Sequence, residues 1–171
     1  MRTEVCPSTT VDEELRAQLL RCWVDVTNAG GAVGLVPPVT ADDVTPLLDQ
    51  LVERAADGRA VLGVLRVDGA VAGFAVLSLS TGPLRRHWAT VLRVQVHPAL
   101  QGHGLGRVLM TGVHAIARDR GLEFLHLTVR GGTGIEKFYE GLGYREFGRM
   151  RGAIRVAEGD DRDEIHLTCR L

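Results

Sequence analysis

Between Thr90 and Arg107 the chain reads TVLRVQVHPALQGHGLGR. A β-branched run stops at Pro98, glycines follow at 102, 104 and 106, and an amphipathic helical pattern opens behind them. This order commits the middle of the chain to a strand–turn–helix unit, because proline ends a strand and alternating glycines permit a tight turn. The unit also gathers several unpaired backbone N–H groups at a helix N-terminus, where the helix dipole and the free donors suit a phosphate.

The rest of the chain builds around that unit. At 171 residues it is long enough to bury a real core and is expected to form one domain, residues 1–171. A formal net charge of -1 provides no overall field for nucleic acid or an anionic membrane surface, so neither is an expected partner. No apolar run approaches the ~20 residues of a membrane span. Met1 to Cys6 carries no apolar signal core, and the expected location is the cytoplasm. Cys6, Cys22 and Cys169 have no metal-ligand spacing and read as reduced, mostly packed thiols. Lys137 is the only lysine among many arginines, which suits a GC-rich, bacterial coding bias.

Thr10-Val-Asp-Glu13 has the spacing of a capping box, and Leu15, Leu19, Leu20, Trp23 and Val24 recur behind it at helical intervals up to Asn28. A second helix is expected from Thr40 or Thr45, with Pro46 in its first turn, to Asp57. Two strands, 60–67 and 70–79, flank Asp68-Gly69, a dipeptide suited to a type I′ hairpin. A strand from Thr90 to Val96 precedes the glycine loop. A helix follows it, with Leu105, Val108, Leu109, Val113, Ile116 and Ala117 on one face. Then come a strand (122–129), a short helix marked by Ile135, Phe138, Tyr139 and Leu142, and closing strands 144–156 and 164–171. The acidic run Glu158–Asp161 between them reads as a solvated turn, and no metal site is expected.

Three readings of the loop remain at this level. A P-loop requires Gly-Lys-Ser/Thr, and Gly106-Arg107-Val108 fails it. A dinucleotide site requires G-x-G-x-x-G in an early βαβ unit; these glycines run G-x-G-x-G past mid-chain, although Glu123 lies near the distance of the usual acid. The third reading is a tight turn with no ligand.

Val96-His-Pro98-Ala-Leu-Gln101-Gly102-His-Gly104-Leu-Gly106 resembles the V-x-P-x-x-[RQ]-G-x-G-x-G signature of the GNAT superfamily of N-acetyltransferases. Phe138-Tyr139-Glu-Gly-Leu142-Gly143-Tyr144 resembles the family's second signature, at its usual separation. The resemblance implies an α/β fold with a mixed, mostly antiparallel sheet of about seven strands, about four helices on its faces and a splayed central strand. It implies acetyl-CoA as co-substrate. The N–H groups of Gly102, His103, Gly104, Leu105, Gly106 and Arg107 would hold the pyrophosphate. Gln101 stands where many members have Arg, with Arg107 as a substitute charge. Backbone groups at Val94 and Val96 would pair with pantetheine. Dimers are common in the family.

Acetyl transfer to an amine needs a proton acceptor for the amine, donors for the oxyanion and an acid for the leaving thiolate. By resemblance Tyr139 is the acid. A phenol of ordinary pKa ≈ 10 is close enough to a thiol of ≈ 8.5 for that role. The plain alternative is that Tyr139 packs with Ile135, Phe138 and Leu142. The base is absent from its usual place: eight residues before the motif proline stands Thr90. His87 is a nearby candidate, with a surface role as its alternative, and His97 and His103 are expected to face solvent or cofactor. Gly132 and Ile135 replace the family's Asn and Ala, in a run, 130–134, that reads as flexible. Segment 30–38 and Arg149-x-x-Gly152-Ala153 are similar to the tabtoxin-resistance type of acetyltransferase, which implies a small, amino-acid-like or toxin-like amine. Direct attack without an acyl-enzyme is expected, because Cys22 and Cys169 lie far along the chain from both signatures. A non-catalytic acyl-CoA sensor and a protein N-acetyltransferase are the alternatives.

Overall fold

A computed structural model describes residues 2–171. The elements in chain order are β1 (Thr3–Ser8), α1 (Glu13–Asn28), α2 (Ala41–Ala56), β2 (Ala60–Val67), β3 (Ala70–Leu79), β4 (Trp88–Val96), α3 (Leu105–Asp119), β5 (Phe124–Arg130), α4 (Glu136–Glu140), β6 (Arg145–Ala157) and β7 (Asp160–Arg170). Seven strands form one sheet in the order β1-β2-β3-β4-β5-β7-β6, and only the β4–β5 pairing is parallel. The mixed, mostly antiparallel architecture with four helices is the expected one.

Each face of the sheet has its own core. Val61, Leu65, Leu77, Val91 and Leu125 pack with α3 residues Leu109, Val113 and Ile116 on one side. Leu62, Val64, Phe74 and Val76 pack with α1 and α2 residues Leu19, Trp23, Val44 and Leu48 on the other. Burial on both faces explains why β2 and β3 read as near-continuous apolar runs. The Asp68-Gly69 hairpin forms as expected, with φ of 49° and 90° at its two central residues.

Several local expectations need correction. The cap of α1 is Asp12, whose side chain accepts from the Leu15 N–H at 2.8 Å; Thr10 stands outside the helix. The start of α2 is set by Thr40, whose N–H and hydroxyl both donate to Asp43 at 2.8 Å, and Pro46 therefore falls inside the helix. Asp160 and Asp161 belong to β7, where they pair with Arg162 and Arg155. Val108 is exposed. Strand β1 escaped the sequence reading altogether. It is a six-residue edge strand containing Pro7, half exposed and without clean alternation. It pairs antiparallel with β2 and brings Val5 against Gly112 of α3.

Candidate active site

Strand β4 is irregular on both sides. Toward β3 the register runs from Phe74↔Gln95 to Val76↔Leu92, so Arg93 and Val94 together oppose the single residue Ala75. Arg93 takes φ 55° at this bulge, and its guanidinium lies 5.3 Å from the Trp23 ring centroid. Gly34 leaves the room it occupies, since a Cβ there would collide with the guanidinium. Toward β5 the pairing covers Trp88↔Phe124, Ala89↔Leu125 and Thr90↔His126, and then ends. Beyond Thr90 the two parallel strands part. The β4 backbone from Val91 to Val96, which includes Val94 and Val96, borders that opening without a β5 partner.

The opening leads to the glycine loop. Pro98–Leu100 forms a 3₁₀ turn, and Gly104, at φ 76°, is the N-cap of α3. Arg107 N–H and Val108 N–H donate back to the Gly104 carbonyl, whereas Gly102, His103, Gly104, Leu105 and Gly106 have N–H groups with no backbone acceptor. A Cβ at Gly102 or Gly104 would meet nothing within 4 Å, so backbone donors lie open to an approaching anion. The loop fits a pyrophosphate. The Gln101 side chain points elsewhere: its amide donates to the Val96 carbonyl at 2.9 Å and pins the loop to the end of β4. The Gln101 carbonyl contacts His103 Nδ1 at 2.8 Å. Arg107 donates to the Gly141 carbonyl at 3.2 Å.

That last bond ties the two sequence signatures together. Helix α4 lies beside the start of α3, with the Phe138 ring close enough to Gly106 that a Cβ there would sit 3.3 Å from it. Tyr139 is 7% exposed and packs edge-on against Phe138 and Tyr144, with ring centroids 5.0 and 5.6 Å away. No hydrogen bond to its hydroxyl exists among the described residues, yet the oxygen is not sealed from solvent. Burial raises its pKa and keeps the phenol protonated. The comparison of ordinary pKa values therefore needs amending. A thiolate in the same dry setting is raised as well, and only the difference between the two governs proton transfer. Ile135 is exposed, so the apolar face of α4 is narrower than its spacing implies.

Other expectations shift. His97 keeps part of its ring in solvent but is held at both nitrogens: its Nε2 contacts Asp25 of α1 at 3.2 Å and its Nδ1 accepts from the Ala99 N–H of the loop at 3.3 Å. His87 is exposed, and its ring packs edge-on against Phe124. The run 130–134 forms a turn, with the Gly131 N–H donating to the Asp163 carbonyl of β7 and the Thr133 hydroxyl to the Arg130 carbonyl. Folding does bring Cys169 to the second signature, where its thiol lies 3.8 Å from the Leu142 carbonyl; burial raises its pKa, which leaves it a poor nucleophile. Cys22 is buried in the α1 core and pushed up to about 12. Gln95, 3% exposed on the α1 side of β4, has no partner for either amide atom.

The largest omission of the sequence reading is a cluster on the same sheet face as α1 and α2, where β5, β7 and β6 extend past both helices. Thr90 Oγ1 lies 3.4 Å from His126 Nδ1, and His126 Nε2 lies 3.3 Å from His166 Nδ1. Trp88, Phe124 and Phe147 surround these rings. The two-residue periods Phe124-x-His126-x-Thr128 and Glu164-x-His166-x-Thr168 carry the signal, since alternate residues share a face.

A family model described as acetyltransferase (GNAT) family matches residues 13–144. A streptothricin acetyltransferase from Streptomyces lavendulae is 40% identical over 74 residues, which span 43% of this chain and 37% of that protein. A ribosomal-protein-alanine N-acetyltransferase from Brucella melitensis has the same fold at TM-score 0.77 and 20% identity, with 100% of both chains covered. So does a protein from Salmonella typhimurium, designated an acetyltransferase and determined with its cofactor acetyl-CoA, at TM-score 0.76 and 20% identity over 99% of this chain and 94% of that one.

Proposed function

The chain belongs to the GNAT acetyltransferase family, and from that premise we propose that it moves the acetyl group of acetyl-CoA to the primary amine of a small, amino-acid-like or antibiotic-like molecule. The observation that carries this reading is the parting of β4 from β5 after Thr90 and His126, between a loop of free N–H groups and a buried tyrosine. Gly102 to Gly106 hold the pyrophosphate through backbone donors. Arg107, already bound to Gly141, adds positive charge from the rim. The unpaired β4 backbone at Val94 and Val96 bonds the pantetheine amides, and a neighbouring N–H polarises the thioester carbonyl.

The amine attacks that carbonyl directly. A C–N bond forms, the C–S bond breaks, Tyr139 gives its proton to the departing sulfur, and the proton shed by the attacking nitrogen restores the phenol. Raised pKa values at Cys169 and Cys22 argue against an acyl-enzyme. Fold likeness to a ribosomal-protein-alanine N-acetyltransferase means that the fold by itself does not choose the acceptor. The local identity to a streptothricin acetyltransferase and the near-zero net charge support a small one.

The test is release of free thiol from acetyl-CoA over a panel of amines, with wild type and Tyr139→Phe compared. Loss of one hydroxyl that has no protein partner leaves folding and acetyl-CoA affinity intact, while kcat falls by ~10²-fold or more. Equal kcat in the two proteins removes Tyr139 from the chemistry. No turnover by a wild type that binds acetyl-CoA favours a sensor.

A further inference from the structure

We propose that Thr90, His126, His166 and Glu164 form a one-way proton relay that takes up the proton lost by the acceptor amine, a proposal that rests on the acetyl-transfer reading above. Thr90 and His126 are the last paired residues before β4 and β5 diverge, so the relay begins at the vertex of the opening. The chain of contacts then crosses the sheet from β4 to β5 to β7: Thr90 Oγ1 to His126 Nδ1 at 3.4 Å, His126 Nε2 to His166 Nδ1 at 3.3 Å, and His166 Nε2 to Glu164 Oε2 at 3.8 Å. The two imidazoles are nearly coplanar, at 16°, with centroids 5.6 Å apart. That separation matches the N···N distance with one ring radius at each end, so the two nitrogens lie on the line joining the ring centres. This is the alignment of an N–H···N bond, and face-to-face stacking is excluded.

The carboxylate sets the direction. Glu164 favours a proton on His166 Nε2, because a lone pair there would face negative charge. His166 Nδ1 is then an acceptor, His126 Nε2 carries the proton that it receives, and His126 Nδ1 is left with a lone pair aimed at the Thr90 hydroxyl. The reverse set of tautomers would bring a nitrogen lone pair against the carboxylate. Thr90 and His126 therefore both donate away from the opening, the His166 Nε2 proton faces the Glu164 carboxylate at 3.8 Å across a charge contact, and Thr90 offers its oxygen to the amine.

The step balances. The ammonium of the acceptor gives one proton to the Thr90 oxygen as the Thr90 hydroxyl proton passes to His126 Nδ1. The Nε2 proton of His126 moves to His166 Nδ1, and that of His166 Nε2 to Glu164 or water. The neutral amine attacks, and the reaction releases one proton overall. The contacts are long for hydrogen bonds, and relays in free enzymes often tighten only around substrate.

The surroundings suit a group that is neutral near pH 7. Trp88 and Thr90 face His126 from β4, Phe124 and Thr128 flank it on β5, Phe147 covers it from β6, and His166, Glu164 and Thr168 face it from β7. Burial and then His166 lower its pKa, and Glu164 opposes them; Arg130 pairs in register with Glu164 at the far end. No group of three or more His, Cys, Asp or Glu among the described residues is arranged to hold a metal ion.

Two measurements test the relay. The first is the pH profile of kcat/KM with any amine that the wild type acetylates. His126→Gln and Thr90→Val are expected to lose ~10²-fold or more near pH 7 and to recover as the pH rises toward the amine's own pKa, with KM for acetyl-CoA unchanged and activity kept in Thr90→Ser. Wild-type profiles in both His126→Gln and Thr90→Val overturn the relay while leaving the acetyltransferase reading intact. The second is the tautomer of His126, read from ¹⁵N–¹H couplings in the unmodified protein without any turnover. A proton on Nε2, with the preference lost in Glu164→Gln, supports the relay. A proton on Nδ1 overturns it even where every variant folds poorly. A wild type that acetylates no amine defeats the acetyl-transfer reading itself, and the relay with it.

Discussion

Gly104→Val separates the cost of folding from the cost of binding. Gly104 caps α3 at φ 76°, a region that side chains rarely adopt, and its added Cβ would meet no protein atom within 4 Å. Folding therefore bears only the left-handed strain of ~1–2 kcal/mol. In a chain of this length each kcal/mol lowers Tm by about 2–4 °C, so the expected fall is about 2–8 °C. Binding loses far more. The added side chain enters open space at the loop that carries the free N–H groups of Gly102 to Gly106. Removing two hydrogen bonds to a charged phosphate, at ~1.5–3 kcal/mol each, costs about 3–6 kcal/mol. That is a rise in Kd of about 10²–10⁴-fold. Calorimetric titration with acetyl-CoA, beside a thermal melt, reads both quantities. A variant that melts as expected yet keeps the wild-type Kd would refute the placement of the pyrophosphate on this loop.

Three further outcomes follow from the packing. Gly112→Ala drives a Cβ into the Val5 side chain and is expected to cost ~1–3 kcal/mol, most of it recovered by adding Val5→Ala; purely additive losses in chemical denaturation would contradict the α3–β1 contact. Gln95→Leu removes two buried, unpartnered amide atoms and is expected to raise stability by ~1–3 kcal/mol, so a lower Tm would show that the amide has a partner after all. His114, beneath Tyr144, is held below the ordinary histidine value of ≈ 6.5 first by burial and then by Arg118. The unfolded chain then binds more protons below that value, so its contribution to stability is present above it and declines as the pH falls. Melts at about pH 8 and pH 5.5 should differ less in His114→Gln than in the wild type; an identical difference would argue against the shift.

The features legible in the sequence were those with a local cause. Asp68-Gly69 predicts its hairpin because both residues tolerate positive φ, and the glycine loop predicts a helix entry because proline and glycine leave few alternatives. Strand β1 was illegible because its stability comes from β2 and from Val5 against Gly112, partners far away in the chain. The same holds for the site. Tyr139 and the loop announced themselves through motifs, whereas Arg107 bonding Gly141 and His97 turning toward Asp25 depend on how α3, α4 and α1 pack. Thr90 looked like the absence of a base because only the sheet order sets His126 beside it and His166 beyond. A hydroxyl that is inert by its own pKa acquires a proton acceptor through tertiary structure.

The most direct test of the central claim uses acetyl-CoA deuterated in its acetyl group. The protein is mixed with this donor and a panel of small amines, and the products are followed by mass spectrometry. The predicted result is transfer of the labelled acetyl group to an amine nitrogen in step with release of CoA thiol, with no label retained on the protein. Label that stays in acetyl-CoA with every amine, in a protein that binds the donor, would contradict the account, and so would label found on Cys169 or Cys22.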